Sequence, residues 1–208
     1  MDTTNKSASE TRKKTTVKNV LAKIIRIATI PPIMAIALFS ALYFHGGVFE
    51  NIFQYFAAIF CLAVLPVLAY PLQKFIPPFK YDEKRNGQRN LALIMSNVGY
   101  FLSIVYSIVF KVSTALLAVF LTYLVSGILL LVVNKLFKIK ASGHACAIMG
   151  PMTALSYLIG YQYFALGLVL LALMIWSSLK LHRHTPVQLL LGGAISSGAF
   201  FALAAAMM

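Results

Sequence analysis

Seven apolar runs alternate with polar stretches along the chain. The first covers about 27–44 and carries Pro31-Pro32 near its start, a pair that kinks the run or delays its helical start. The second covers about 52–72, and a polar segment at 73–90 follows it. Residues 91–134 are then interrupted only by Lys111. At 1.5 Å per residue such a helix would reach about 66 Å, twice a bilayer core, so the stretch predicts a helical hairpin. A basic loop at 135–143 leads into 145–179, again too long for one span, with Gly160-Tyr161-Gln162 as the natural turn. The last run, about 187–207, is rich in Gly and Ala, which suits close helix packing. The pattern predicts an all-α polytopic bundle of about seven transmembrane helices over 25–208. A flexible basic tail at 1–24 precedes it, ending in an interfacial turn at Leu21, Ile24 and Ile25.

Composition fixes the class. The 208 residues are 60% hydrophobic and 11% charged, more apolar surface than a soluble domain of this length can bury. The residues after the polar start carry no small-residue cleavage pattern, so no cleavable signal is expected. The net charge is +13, and the bases sit in the gaps between apolar runs. A nucleic-acid reader would carry them on a folded soluble surface with aromatics between, so the expected partners are lipid headgroups or phosphate, not nucleic acid. With alternating spans, the tail and the loops 73–90, 135–143 and 180–186 share one face, which holds every Lys and Arg except Lys111. The positive-inside rule makes that face cytoplasmic, with the N-terminus on the same side and the C-terminus external, in the cell membrane. An anion site would collect bases of its own, so the tail is the independent vote. Asp2, Glu10, Glu50, Asp82 and Glu83 all lie outside the apolar runs, which argues against an ion-coupled carrier. Cys61 and Cys146 read as packing residues. No ligand cluster has zinc spacing, so neither a metal nor a cofactor is expected.

Three polar segments on the basic face carry the candidate chemistry. The first is Lys80-Tyr81-Asp82-Glu83-Lys84-Arg85-Asn86-Gly87-Gln88-Arg89-Asn90. The second is Ala141-Ser142-Gly143-His144. The third is His182-Arg183-His184-Thr185-Pro186-Val187-Gln188. Each immediately precedes an apolar run, where the N–H groups and dipole of a helix N-terminus favour an anion. Pro186 suits a first helical turn, and a helix running on from it lets His184 and Gln188, four residues apart, meet. Two histidines beside Lys, Arg, Ser and Gly describe a phosphate site, in which one imidazole attacks phosphorus and the other protonates the leaving oxygen.

These segments resemble the three motifs of the type 2 phosphatidic acid phosphatase superfamily, membrane lipid phosphatases related to vanadium haloperoxidases. The resemblance covers about 80–200. Ser142-Gly143-His144 match the second motif, with Ala141 in place of its Pro. His184 takes the nucleophile's position in the third, and Gly192-Gly193 follow as they often do in the family. The first is looser: Arg89-Asn90 stands for Arg-Pro, and Lys84 or Arg85 for the preceding Lys. The family implies a metal-independent hydrolase acting on a lipid phosphate or prenyl diphosphate through a phosphohistidine. By this correspondence His184 is the nucleophile, His144 the acid and base, and Gln188 the residue that orients His184. Arg89, Lys84, Arg85, Ser142 and Gly143 bind the phosphate. Two positions depart from the pattern. Ser178 stands where the family has a phosphate-binding Arg, with Lys180 or Arg183 as the nearest substitutes, and Gln188 replaces the orienting Asp. Bacterial relatives generally carry the site away from the cytoplasm, in conflict with the charge bias here. The departures leave open a member of the fold that binds anionic lipid or a partner without turnover.

Overall fold

The computed structural model describes residues 17–77, 84–136 and 141–208, without the side chains of 84–86, 89 and 135. Among the described residues the regular structure is all helical: α1 (Val17–Ala28), α2 (Pro31–His45), α3 (Ile52–Leu72), α4 (Lys84–Phe110), α5 (Thr114–Leu136), α6 (Gly143–Leu158), α7 (Gln162–Lys180) and α8 (Pro186–Met207). Pro31 and Pro32 open α2, where a missing N–H costs nothing, and α1 meets α2 at a 55° bend. A π turn at Phe60–Val64 interrupts α3 just before Pro66. The Cys61 carbonyl there lies so close to Gly99 of α4 that any side chain at 99 would overlap it.

Five helices are long and apolar enough to cross a membrane, Ile52–Leu72, Asn90–Phe110, Thr114–Asn134, Gln162–Lys180 and Pro186–Met207, and the bent pair α1 with α2 makes a possible sixth. The expected count of about seven is therefore too high by length. Two runs fall short: the first, where the 15 residues of α2 are long enough only together with α1, and that of α6, whose 16 residues reach about 24 Å against a hydrocarbon core of about 30 Å. Its burial explains how so short a helix is accommodated. Ten of its residues, among them Ala147, Ile148, Gly150, Thr153 and Leu155, are buried, so α6 meets protein on its sides and has no lipid thickness to match. It runs parallel to α8: Gly150 lies on Ser196, Thr153 shares a 2.8 Å hydrogen bond with Ser197, and Tyr157 stacks edge-on to Phe200. Gly167 of α7 and Gly193 of α8 admit Met152 and Met149 of α6, the small-residue contact that lets helices approach without a hydrophobic driving force. Phe39, Phe120 and Phe200 fill the rest of the core, while Phe53, Phe101, Ile108 and Val169 point outward, as the lipid-facing side of such a bundle requires.

The two ends of the bundle are distinct. At one, Ser113 Oγ donates to the Val48 carbonyl at 2.7 Å and joins the α2–α3 and α4–α5 turns. At the other, Asn134 Oδ1 accepts from the Ala141 N–H, and Ser177 Oγ donates to the Ala22 carbonyl at 2.6 Å, joining the ends of α5, α6, α7 and α1. The α4–α5 and α6–α7 turns fall where the apolar pattern put them. The expected tail does not hold at 17–24, which is helical. Its apolar spacing gives α1 one outward stripe, Val17, Val20, Leu21, Ile24 and Ile27, and a buried Ala22 on the other side. Residues 1–16 lie outside the described residues.

Candidate functional site

The second and third polar segments meet at one end of the bundle. The Ser142 N–H donates to the Gln188 carbonyl at 2.9 Å, and Ser142 Oγ caps α6 by accepting from the Ala145 N–H at 3.4 Å. Gly192, one turn into α8, lies against the Ser142 backbone. The loop carrying His144 is thus tied directly to the helix that follows His184.

His184 is oriented by the start of α8. Thr185 is the N-cap, Pro186 the first helical residue, and Gln188 closes a capping box with Thr185. Gln188 Oε1 accepts the Thr185 N–H at 3.3 Å and lies 3.2 Å from His184 Nδ1. An amide oxygen brings no proton, so the hydrogen in the second contact belongs to Nδ1. The His184 lone pair is then on Nε2, the form a nucleophile needs. Gln188 sets the tautomer but adds no negative charge to steady an imidazolium.

His144 stands at the membrane face, half-buried in the first turn of α6 and outside the five spans. Burial first, then the charges of Arg26 and His184, push its pKa from 6.5 down to about 4, so it is neutral at pH 7. The third group is unexpected. Arg26 Nη1 of α1 donates to Ser178 Oγ at 3.4 Å, across 152 residues of chain. Arg26 lies outside the three polar segments; what marks it in the sequence is its spacing from Ala22 and Thr29, which puts all three on one helical stripe.

Other expectations need correction. The Ser142 amide is engaged by Gln188, and the residue is fully buried, so Ser142 positions the loop while the amides of Gly143 and His144 head α6. The three helix N-termini differ in what they offer an anion. Helix α4 begins at Lys84, so Arg89 sits more than a turn inside it, and in α8 Pro186 has no N–H while the Gln188 N–H is capped by Thr185. The side chains of Lys84, Arg85 and Arg89 lie outside the described residues. Lys180 and Arg183 are exposed, and it is Arg26 that reaches Ser178.

His182 has a structural task. Its φ is 49°, its N–H donates to the Leu179 carbonyl at 3.1 Å, and the Arg183 N–H to the Ser178 carbonyl at 2.9 Å, the paired bonds of a Schellman C-cap. Glycine favours that left-handed position. His182→Gly is expected to raise stability by about 0.5–1 kcal/mol, read as thermal unfolding in detergent, with any phosphate chemistry unchanged.

Compared with protein-family models, curated proteins and solved structures, the chain matches none. The site therefore stands on its own geometry: an all-α membrane protein with two histidines and an arginine converging at one face.

The depressed His144 pKa makes stability depend on pH. The unfolded chain takes up a proton near pH 6.5 and the folded one only near 4, so the stabilisation is complete above 6.5 and is lost as pH falls through 4. The loss is at most about 3 kcal/mol, from 1.36 kcal/mol per pKa unit. Thermal unfolding at pH 7 and pH 4.5 is expected to differ in wild type, and the difference to shrink in His144→Asn.

Proposed function

We propose that the protein is an integral membrane phosphatase that hydrolyses a lipid phosphate or prenyl diphosphate through a phosphohistidine. The observation that carries this reading is the pairing of His184, its Nδ1 held by Gln188 Oε1 at 3.2 Å, with a neutral His144 close enough to feel its charge. His184 Nε2 attacks phosphorus, the P–O bond to the lipid breaks, and the leaving oxygen takes a proton from His144. Because His144 is neutral at rest, that proton arrives with the substrate, whose phosphate has a second pKa of about 6, or is taken up when the anion binds. In the second step His144 accepts a proton from water as the water attacks the phosphohistidine. Phosphate leaves and His184 is restored. The amides of Gly143 and His144 and the guanidinium of Arg26 supply positive character for the developing charge, and Arg89, Lys84 and Arg85 are the further cations of the family-like arrangement. A substrate anchored in the bilayer approaches such a face from the membrane plane.

One observation favours a second reading. Gln188 serves a capping box as well as His184, so the contact is also what a purely structural helix start would make. On that reading the fold binds anionic lipid without turnover. Purified protein in mixed micelles, offered phosphatidate, phosphatidylglycerol phosphate and prenyl diphosphates, decides between them. Release of inorganic phosphate is the expected result, and its absence across the panel overturns the catalytic reading.

A further inference from the structure

We propose that Arg26 is a direct phosphate ligand of this site, delivered by α1 from outside the three polar segments. The inference rests on the phosphate-site reading, though not on turnover.

The orientation of α1 is the first argument. Ala22, Arg26 and Thr29 form one stripe, and Ala22 and Thr29 are 0% and 3% exposed. That stripe faces α7, to which the Ala22 carbonyl is bonded through Ser177 Oγ at 2.6 Å. Val20, Leu21, Ile24 and Ile27 occupy the outward side. A lipid-anchoring arginine extends outward to the headgroups. Arg26 instead turns inward, to a serine with no exposed surface.

The second argument is what surrounds it. Arg26 acts on His144 more strongly than His184 does, and Arg26 reaches Ser178, whose carbonyl accepts the N–H of Arg183 beside His184, so guanidinium and both imidazoles share one region. An anion received by His184 Nε2 and the Gly143 amide lies within the field of that guanidinium. Its planar fork matches two phosphate oxygens at once, which a lysine does not. Ser178 matters by its size. A long cationic side chain there would occupy the space in which Arg26 lies; serine leaves that space and offers Oγ as a steadying contact at 3.4 Å. The charge absent from position 178 is thereby supplied by another helix.

The test uses the full-length protein in detergent, inorganic phosphate as the probe, and ³¹P line broadening to measure its dissociation constant. Arg26→Ala is expected to weaken binding on the order of 10–100-fold, the range for lost charge-assisted hydrogen bonds. Arg26→Lys recovers only part of it. The double variant Arg26→Ala with Ser178→Arg recovers most, because the guanidinium returns to the same space from α7. Lys23→Ala, an exposed base on the same helix, is the control for diffuse charge, and thermal unfolding establishes that each variant is folded. Unchanged phosphate binding in folded Arg26→Ala overturns the proposal, as does an equal loss in Lys23→Ala. If Arg26→Ala alone fails to fold, the double variant decides: folded and binding phosphate it supports the proposal, folded and not binding it overturns it. Should wild type bind phosphate through Arg26 yet release none from the lipid panel, the catalytic reading fails and this one stands. Should wild type turn over and Arg26→Ala keep the same KM, only this one fails. Wild type that neither binds phosphate nor turns over sinks both.

Discussion

Replacing His184 by alanine is expected to lower phosphate release on the order of 10⁴-fold or more, with no phosphoprotein formed at any time. Replacing His144 by alanine is expected to fail differently. With a lipid alkoxide as leaving group the first step needs an acid, so turnover falls by roughly 10²–10⁴-fold. With an aryl phosphate, whose phenolate leaves without protonation, the first step survives. His144→Ala would then release about one equivalent of phenolate in a burst and stall as the phosphohistidine, because no base activates water. The intermediate is acid-labile and base-stable, and rapid quenching into alkali followed by ³¹P NMR detects it. A burst in His184→Ala would remove this residue from the nucleophile's role. Equal loss of both steps in His144→Ala would remove the division of labour. The tautomer at His184 makes the comparison clean: Gln188 Oε1 fixes the proton on Nδ1 whether or not His144 is present, so the nucleophile stays in its reactive form in the second variant.

Much of this site was legible because its signals are local. His184 and Gln188 are four residues apart on a helix begun by Pro186, and their contact follows from helical geometry. The N-cap at Ser142 follows from residue type. The alternation of apolar runs with basic loops puts the 142–144 and 184–188 segments at one end, and Ser142 bonds Gln188 there. What was not legible depends on contacts across the chain. A 16-residue apolar run reads as a span because composition does not reveal that its neighbours are helices instead of lipid. The use of the Ser142 amide requires knowing where the Gln188 carbonyl lies. Arg26 sat among six other bases of the N-terminal region, and hydropathy treats an inward guanidinium and an outward one alike. Only the approach of α1 to α7 shows that the Arg26 guanidinium reaches Ser178.

Gly192→Ala is expected to damage the site severely although the residue touches no substrate. A methyl group built on Gly192 overlaps the Ser142 carbonyl oxygen and comes within 3.1 Å of the Ser142 nitrogen, both backbone atoms that no rotamer change can move. Relief requires α8 to shift against the 141–143 loop. That shift stretches the 2.9 Å bond from the Ser142 N–H to the Gln188 carbonyl, a direct backbone link between the two histidine-bearing segments. Overpacking of this kind costs about 1–3 kcal/mol. The effect on chemistry should be larger, because a displacement of about 1 Å between reacting groups lowers rates on the order of 10²-fold. Gly198→Ala on the same helix is the matched control. Nothing lies within 4 Å of its added methyl, so it should be neutral or gain up to about 1 kcal/mol from helix propensity. The checks are thermal unfolding, phosphate release, and inorganic phosphate binding for both variants. Gly192→Ala should lose stability, and turnover should fall further than binding, since Arg26 and the Gly143 amide stay on their own elements while His184 moves away. Wild-type turnover in folded Gly192→Ala would mean that the register between α6 and α8 does not set the distance between the two imidazoles, and the two-histidine mechanism would lose its structural basis.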